Sequence, residues 1–555
     1  MSFASHPAFR NFQPTPASIP PRNVVLRQVT PKDKPVYLHN LNPLAFLLRA
    51  AQIYPNKLAI AHPDTEHPVF YSFSVWCQRV QNLAYALIHV DAHFGFLAAR
   101  CVFTPINIRL KPTEVEYIIE HSGSKLVLCD REYLHLLAGV RVPVIICDDT
   151  GKPDDPYEQF LAKGREFSAE RSWQGLEAEP NENAASTLCY TSGTTGRPKG
   201  VVSTLRGAYL AAIGNAFESQ INRDSTYLWI LPMFHAAGWT YPWATVFAFA
   251  TQITLRTVDY SLIWNHFLHS GVTHYCGAPT VQIGIFNHPK AKRLERGITA
   301  IIAGSAPTAH LISELEKIGI KPCHTYGPFT RCYEYPEWKT LSLEDRSKLM
   351  ARQGQTFATA EVARVVYQPD PDLPLDKVVL VDVPKDGKTI GEIVTKGNIV
   401  MKEYLNDPEA TKKAFRGGYF NTGDLAVMHP DGSIAIMDRS KDIIISGGEN
   451  ASSLAIEQEL ASHPHILEVS VVARSHPKWG ERPMAFVILH PQHAEKWAGR
   501  HAEFERDLKE HAKKRLPGFA CPEWVEVVPE LPKTSTGKIL KTELRKRVNN
   551  MKAKL

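Results

Sequence analysis

"YTSGTTGRPKG", residues 190–200, decides how the rest of the chain is read. Its eleven residues include three glycines (Gly193, Gly196, Gly200), five hydroxyl-bearing side chains (Tyr190, Thr191, Ser192, Thr194, Thr195) and two cations (Arg197, Lys199). Neither a helix nor a strand is built from that composition. An apolar strand over 186–190 precedes it, and a helix is expected from about Leu205. A Gly- and Ser/Thr-rich loop after a strand can wrap phosphates: glycine lets the backbone approach closely, amide N–H groups point inward and hydroxyls donate. Lys199 adds a point charge suited to a polyphosphate. The GxxxxGK[ST] spacing is absent, so this is not a Walker loop.

Working outward, 555 residues are enough for two to four domains or subdomains. Hydrophobic content of 44% and charged content of 22% fit a chain that buries a large core. A net charge of +6 and the lack of a basic stripe interleaved with aromatics give no sign of nucleic-acid binding. No run of about 18 apolar residues predicts a membrane span, and the Pro-rich start lacks a secretory leader. None of the nine cysteines forms a CxxC pair, so neither a zinc site nor a disulfide framework is signalled.

Residues 1–35 read as an irregular arm. Beyond them, helical spacing alternates with short β-rich runs such as "KLVLCD", "VPVIICDD", "STYLWILPMF", "TQITLRT", "GVTHYCGAPT" and "GITAIIAGSAP". That alternation predicts an α/β fold with largely parallel sheets. Near 390 the texture becomes β-rich, with a Pro-Asp-Gly hairpin turn in "GYFNTGDLAVMHPDGSIAIMDR". A compact α+β unit follows "MDRSKD". The expected division is an arm over 1–35, a large domain of layered α/β sheets with a β-rich subdomain over 36–438, and a small mobile α+β domain over 439–555.

Six further motifs occur in order: "LPMFHAAGW", "AGSAP", "GYFNTGDLA", "DRSKD", "SGGENASSLAIEQEL" and "PKTSTGKILK". Together with the opening stretch they resemble the adenylate-forming (AMP-binding) superfamily, over about residues 40–547. The hinge, the "SGGEN" loop and "RSHPKWGERPMAFV" resemble those of plant and fungal medium-chain or benzoate-type acyl-CoA ligases. The resemblance implies the cofactors and substrates ATP, Mg²⁺ and coenzyme A. It implies ATP contacts at Thr191, Ser192, Gly193, Thr194, Thr195, Gly196 and Lys199, at Gly304, Ser305 and Ala306, and at Tyr326. Asp424 would grip the ribose hydroxyls, with Arg439 as a second ribose contact. Lys538 would be the catalytic lysine and Lys441 the hinge. Ser446, Gly447, Gly448 and Glu449 would form the loop presented for thioester formation, and His235 would gate the acyl or thiol tunnel. Phe234, Trp239, Thr280 and Val281 would line the acyl pocket.

The chemistry fits those residue types. A carboxylate is a poor electrophile and is activated as an acyl adenylate. Charge then develops on the α-phosphate, where a fixed cation is most effective. Gly447 and Gly448, lacking side chains, would let a pantetheine arm pass.

Two stretches depart from the family pattern. The usual Tyr-Gly-x-Thr/Ser-Glu, whose Glu helps hold Mg²⁺, is replaced by Tyr326-Gly327-Pro328, with about six residues missing. Thr330-Arg331 stands where Thr-Glu would be, and Glu334 is the alternative carboxylate. At Val90-Asp91 roughly 25 residues, including a buried strand, are missing, which should weaken the N-terminal sheet.

The expected activity is therefore ATP-dependent ligation of a small or medium carboxylic acid to CoA, in fatty-acid or secondary metabolism. The alternatives are an adenylating enzyme with a non-CoA acceptor and a catalytically impaired homologue that binds nucleotide. The final Ala553-Lys554-Leu555 is a variant of the Ser-Lys-Leu peroxisomal address, which would make an import receptor the partner. The other location considered is the cytoplasm.

Overall fold

Six parallel strands organise the larger part of the chain. In the computed structural model, which describes residues 6–28, 35, 38–89, 97–191, 197–234, 236–304, 306–370, 373–533 and 539–552, they run in the order Ile320–Tyr326, Ile298–Ile302, His274–Gly277, Thr226–Trp229, Thr251–Thr254 and Leu58–His62. Short antiparallel strands, Thr330–Arg331 with Gln355–Thr356 and Val69–Ser72, finish the two edges.

Both faces of this sheet are buried, which is why its strands read as apolar runs. Successive residues alternate between two cores. Tyr227, Trp229, Cys276 and Ile301 pack into one, under the helices Leu44–Ile53, Leu205–Glu218 and Ala236–Phe247. Leu228, Tyr275, Ala300 and Ile302 pack into the other, under Tyr260–His269 and Ala309–Lys317. Sequence sets the starts of several helices: Asp259 accepts from the Leu262 N–H (3.0 Å), Thr308 from Leu311 (3.1 Å) and Thr204 from Gly207 (3.0 Å).

The opening stretch does not run directly into a helix. Strand Ala185–Thr191 turns back antiparallel into Lys199–Thr204, and only then does the helix begin at Leu205. A third strand, Glu403–Tyr404, pairs with Val201 and Val202. The β-rich region is a four-stranded antiparallel sheet of Arg364–Val366, Gly391–Thr395, Phe420–Met428 and Ile434–Arg439, with the expected Pro-Asp-Gly turn. Val127–Asp130 and Val144–Cys147 form a separate two-stranded parallel sheet, a marginal unit by itself. The Val90-Asp91 junction lies outside the described residues.

Within the predicted arm, the described residues 6–28 are more ordered than an irregular segment. It forms a helix over Pro7–Asn11 and a turn over Pro16–Ser18. Phe9 meets Phe70 edge-on at 5.3 Å, and Thr15 donates to Glu158, itself paired with Arg79 at 2.6 Å. Aromatic and hydrogen-bonding residues of low helix propensity gained order by docking.

The last part of the chain is a five-stranded sheet with helices Ser453–Ala461 and His501–Lys513 on one core and Lys541–Lys552 on another. Asp438, 5% exposed, accepts from the Ser453 amide and hydroxyl at 2.7 and 2.6 Å. All nine cysteines are free and seven are buried. No helix among the described residues is long and apolar enough to cross a membrane.

Candidate active site

Parallel strands deliver their following loops to one end of the sheet, where ligands of open α/β sheets bind. Leu231–Phe234 follow the strand Thr226–Trp229. Ala278–Val281 follow His274–Gly277, Gly304 and Ala306 follow Ile298–Ile302, and Gly327 follows Ile320–Tyr326. Gly304 has φ +94°, with open space where a Cβ would stand, so the chain can turn there and leave room for a flat ligand.

Tyr326, Asp424 and Arg439 meet. The Tyr326 hydroxyl donates to Asp424 Oδ2 at 2.6 Å. Asp424 and Arg439 are cross-strand partners, and Arg439 Nε lies 3.5 Å from Asp424 Oδ1. Burial, reinforced by the Asp424 charge, raises the Tyr326 hydroxyl well above the ordinary tyrosine value, so it stays a donor. Gly423, at φ +74°, makes the turn that presents Asp424, and the Asp424 amide bonds to Thr422 Oγ1 at 3.2 Å. A carboxylate has about four acceptor sites. With one oxygen taken by Tyr326, the other side can accept from two adjacent hydroxyls.

Lys199 is held differently from a free phosphate cation. Its Nζ lies 3.0 Å from Asp407 Oδ2, and both side chains are about two-fifths exposed. Such a pair contributes at most ~1 kcal/mol and exchanges readily for a phosphate. Thr191 closes the strand opposite Lys199. Helix Pro112–Ser122, which the sequence reading missed, braces both ends of this loop. His121 Nδ1 lies 2.8 Å from the Tyr190 hydroxyl, the Tyr117 hydroxyl donates to the Pro198 carbonyl at 3.2 Å, and Arg197 sits 5.0 Å over the Tyr117 ring. "YIIEHS" reads as an ordinary amphipathic helix, with no signal of that role.

Ser192, Gly193, Thr194, Thr195, Gly196, His235, Ser305 and Lys538 lie outside the described residues, as do Ala553, Lys554 and Leu555. Trp239 falls in the helix Ala236–Phe247. Val281 and Thr280 line a cavity of about 480 Å³ together with Leu231 and Pro232, and Phe234 follows on the same segment.

The smaller unit carries the other predicted loop. Gly447 (φ +64°) and Gly448 (φ +89°) turn between strands Ile444–Ser446 and Glu449–Ala451. A Cβ on Gly447 would stand 2.9 Å from the Trp479 ring, and the Gly447 amide donates to the Trp479 carbonyl at 2.8 Å. Ser446 accepts from Arg482 at 3.1 Å, and Glu449 is exposed. Burial, then the Arg439 charge, lowers the Lys441 ammonium, and Arg545 donates to the Lys441 carbonyl at 3.2 Å.

The missing carboxylate has a structural counterpart. Tyr326 turns tightly into Thr330, which pairs back with it. Thr330 is fully buried, and Arg331 faces Glu218, 3.8 Å from Oε2. Glu334 is no substitute: it lies 3.7 Å from Arg346 Nη1, drawn to that guanidinium. The side chains at this turn do not fit a cation site.

The Tyr326–Asp424–Arg439 cluster beside the carboxyl end of a parallel sheet, with a smaller α+β unit after it, defines a two-part α/β protein. The AMP-binding enzyme family profile matches residues 88–405 and the AMP-binding enzyme C-terminal domain matches 455–538. The chain belongs to the AMP-binding enzyme family. It is 36% identical to the peroxisomal acetate/butyrate–CoA ligase AAE7 of Arabidopsis thaliana, over 92% of this chain and 95% of that one. It is 37% identical to 4-hydroxybutyrate–CoA ligase 2 of Metallosphaera sedula, over 93% and 95%, and 35% identical to the peroxisomal benzoate–CoA ligase of Arabidopsis thaliana, over 91% and 93%. The fold is that of ATP-bound MatB from Rhodopseudomonas palustris, with a TM-score of 0.77 at 23% identity over 92% of this chain and 100% of that one. The AAE7 alignment runs to 563 residues yet takes in only 92% of this 555-residue chain, so it crosses stretches where only the relative has residues.

Proposed function

We propose that the protein is an AMP-forming acid–CoA ligase. A carboxylate oxygen attacks the α-phosphorus of ATP, the bond to the β-phosphate oxygen breaks, and pyrophosphate leaves. The thiol of CoA then loses its proton and attacks the acyl carbon, and AMP leaves. The Tyr326–Asp424–Arg439 cluster carries this reading, in a chain whose full-length relatives are named as CoA ligases.

In this reading Asp424 and Arg439 take the ribose hydroxyls, and Gly304, Ser305 and Ala306 flank the adenine. The 191–196 loop and Lys199 hold phosphates, Lys538 offsets charge at the α-phosphorus, and Ser446–Glu449 serves the thioester step. Lys441 is the hinge of a division at 438/439, His235 gates the tunnel, and Phe234, Trp239, Thr280 and Val281 face the acyl group. AMP-forming CoA ligases use ATP, Mg²⁺ and CoA. Magnesium commonly keeps several waters and binds through substrate phosphates. Its phosphate ligands must do most of the holding here, because the Tyr326–Thr330 turn offers no carboxylate.

That missing carboxylate favours a second reading, a homologue that binds nucleotide with little turnover. One experiment separates the two: a panel of short and medium carboxylic acids assayed for CoA-dependent AMP release, with calorimetry of MgATP. The ligase reading expects release with at least one acid, and about tenfold weaker nucleotide binding in Asp424→Ala, from loss of charged hydrogen bonds. MgATP binding without release for any acid would establish the second reading.

Several relatives are peroxisomal enzymes, and we place this protein in the peroxisome through Ala553-Lys554-Leu555. Deleting those three residues from an amino-terminally tagged chain should leave it in the cytosol. Continued peroxisomal import would refute the assignment.

A further inference from the structure

His463, His465 and Asp507 each bring one ring nitrogen or carboxylate oxygen to within 4.8 Å of the others. His463 is 5% exposed, and its ring meets those of His465 and His511 at 5.1 Å. The His465 ring lies 4.2 Å from that of His493. The spacing suits a transition metal, but the hydrogen bonds do not. The backbone N–H of His465 donates to His463 Nδ1 at 3.2 Å, and the indole N–H of Trp497 donates to His465 Nδ1 at 3.0 Å. Both of these groups can only donate, so each Nδ1 presents a lone pair and each neutral ring carries its hydrogen on Nε2. His463 Nε2 gives that hydrogen to Asp507 Oδ2, 3.2 Å away. A metal would need a lone pair that neither Nε2 has.

The same pattern is sensitive to a proton. Protonation places a hydrogen on Nδ1, where it meets the His465 amide or the Trp497 indole, and the bond is lost. These bonds tie the 462–465 turn to helix Pro491–Trp497. Asp507, and the edge-on contacts of His463 and Trp497 with Phe504 at 5.7 and 5.4 Å, add helix His501–Lys513. Trp497 and Phe504 share a core with Ile444 and Ala451, on the strands that flank Gly447 and Gly448. Burial, the largest effect, lowers both rings from the ordinary histidine value, and Asp507 opposes it. His511 and His465 reinforce the lowering at His463, as do His493 and Lys496 at His465. His490 also faces His465, and Glu459 and Arg515, 3.8 Å apart, lie beside His511.

We propose that His463 and His465 form a proton-sensitive latch of the smaller unit: with both rings neutral it ties helices Pro491–Trp497 and His501–Lys513 to the core that supports the Gly447–Gly448 loop, and in acid it releases them. The sign follows from linkage. A histidine held neutral in the folded state takes up its proton only when the unit opens. The latch is therefore at full strength above about pH 6.5, the ordinary histidine value, and weakens as the pH falls below it. The proposal stands apart from the ligase reading and needs no substrate.

The test uses the full-length chain, wild type and with His463→Asn and His465→Asn combined. Asparagine keeps an acceptor oxygen near the place of Nδ1 but takes up no proton. Hydrogen exchange over 444–451 and 501–513, corrected for the intrinsic effect of pH, gives the opening equilibrium at about pH 7.5 and about pH 5.5. In the wild type that equilibrium should rise roughly 10- to 100-fold in acid, up to about tenfold per pH unit below 6.5 for each histidine held neutral. In the double variant the rise should be smaller by at least about threefold. No rise in the wild type, or an equal rise in the double variant, would overturn the proposal. Nitrogen spectra of the wild-type histidine rings at about pH 7.5 give a readout that does not depend on the variants folding. Both rings should carry hydrogen on Nε2 alone, and a hydrogen on Nδ1 of either ring would overturn the latch.

Discussion

Replacing Lys538 by alanine should abolish acid-dependent pyrophosphate exchange, a loss on the order of 10²–10³-fold, while CoA still captures a preformed acyl adenylate. The reason is where charge develops. In the first half-reaction it accumulates on the oxygens around the α-phosphorus, and a fixed ammonium stabilises that state more than the ground state. In the second half-reaction the leaving group is AMP, and in the proposed reading the thiol approaches from the Gly447–Gly448 side. The setting "PKTSTGKILK" is what assigns this role to Lys538 rather than to an ordinary surface lysine. Exchange at the normal rate in Lys538→Ala would refute the assigned role.

Glu218→Ala should destabilise the protein by about 3–5 kcal/mol, the usual cost of stripping the partner from a buried charge. The Glu218 side chain is 3% exposed and that of Arg331 16%. The carboxylate also accepts from the Tyr333 hydroxyl at 2.7 Å, and the guanidinium donates to the Glu218 carbonyl. Removing the acid leaves Arg331 under the sheet edge without a counter-charge. The effect should register as a lower midpoint of the first cooperative transition in urea, since a chain of several units need not unfold in one step. The double variant Glu218→Leu, Arg331→Met should recover much of the loss, because an apolar pair of similar volume removes both desolvated charges. A change below about 1 kcal/mol in Glu218→Ala would show that the pair is not coupled as its geometry implies.

Glu218 and Arg331 also mark where sequence reading stopped. Arg331 was legible as a residue that cannot bind a cation, yet nothing near it announced a partner 113 positions earlier. Apolar runs such as "ITAII" betray burial on both faces, so the parallel strands were readable. Burial does not name a neighbour. "GEIVTKGNIVMKEYL" reads as β-rich throughout, but Gly391–Thr395 pairs with Phe420–Met428 while Glu403–Tyr404 joins the sheet of the 199–204 strand. The arm's docking on Phe70 and Tyr71, and the His121–Tyr190 brace, are likewise long-range matches between locally unremarkable side chains. The Tyr326–Asp424 bond spans 98 positions; only the resemblance to a known family brought its two ends together in advance.

The pairing of Asp424 with Arg439 has a thermodynamic consequence. Arg439 lies two residues before Lys441, the proposed pivot, and Asp424 lies on the neighbouring strand of the larger unit. In the proposed reading, a nucleotide held by the two side chains beside that pivot shifts the equilibrium between orientations by as much as its affinity differs between them. Linkage makes the relation reciprocal: whatever free energy ribose binding gives to one orientation, that orientation returns as tighter nucleotide binding. On the proposed reading the bound nucleotide would thereby be both a reactant and an effector of the chain's own conformational equilibrium.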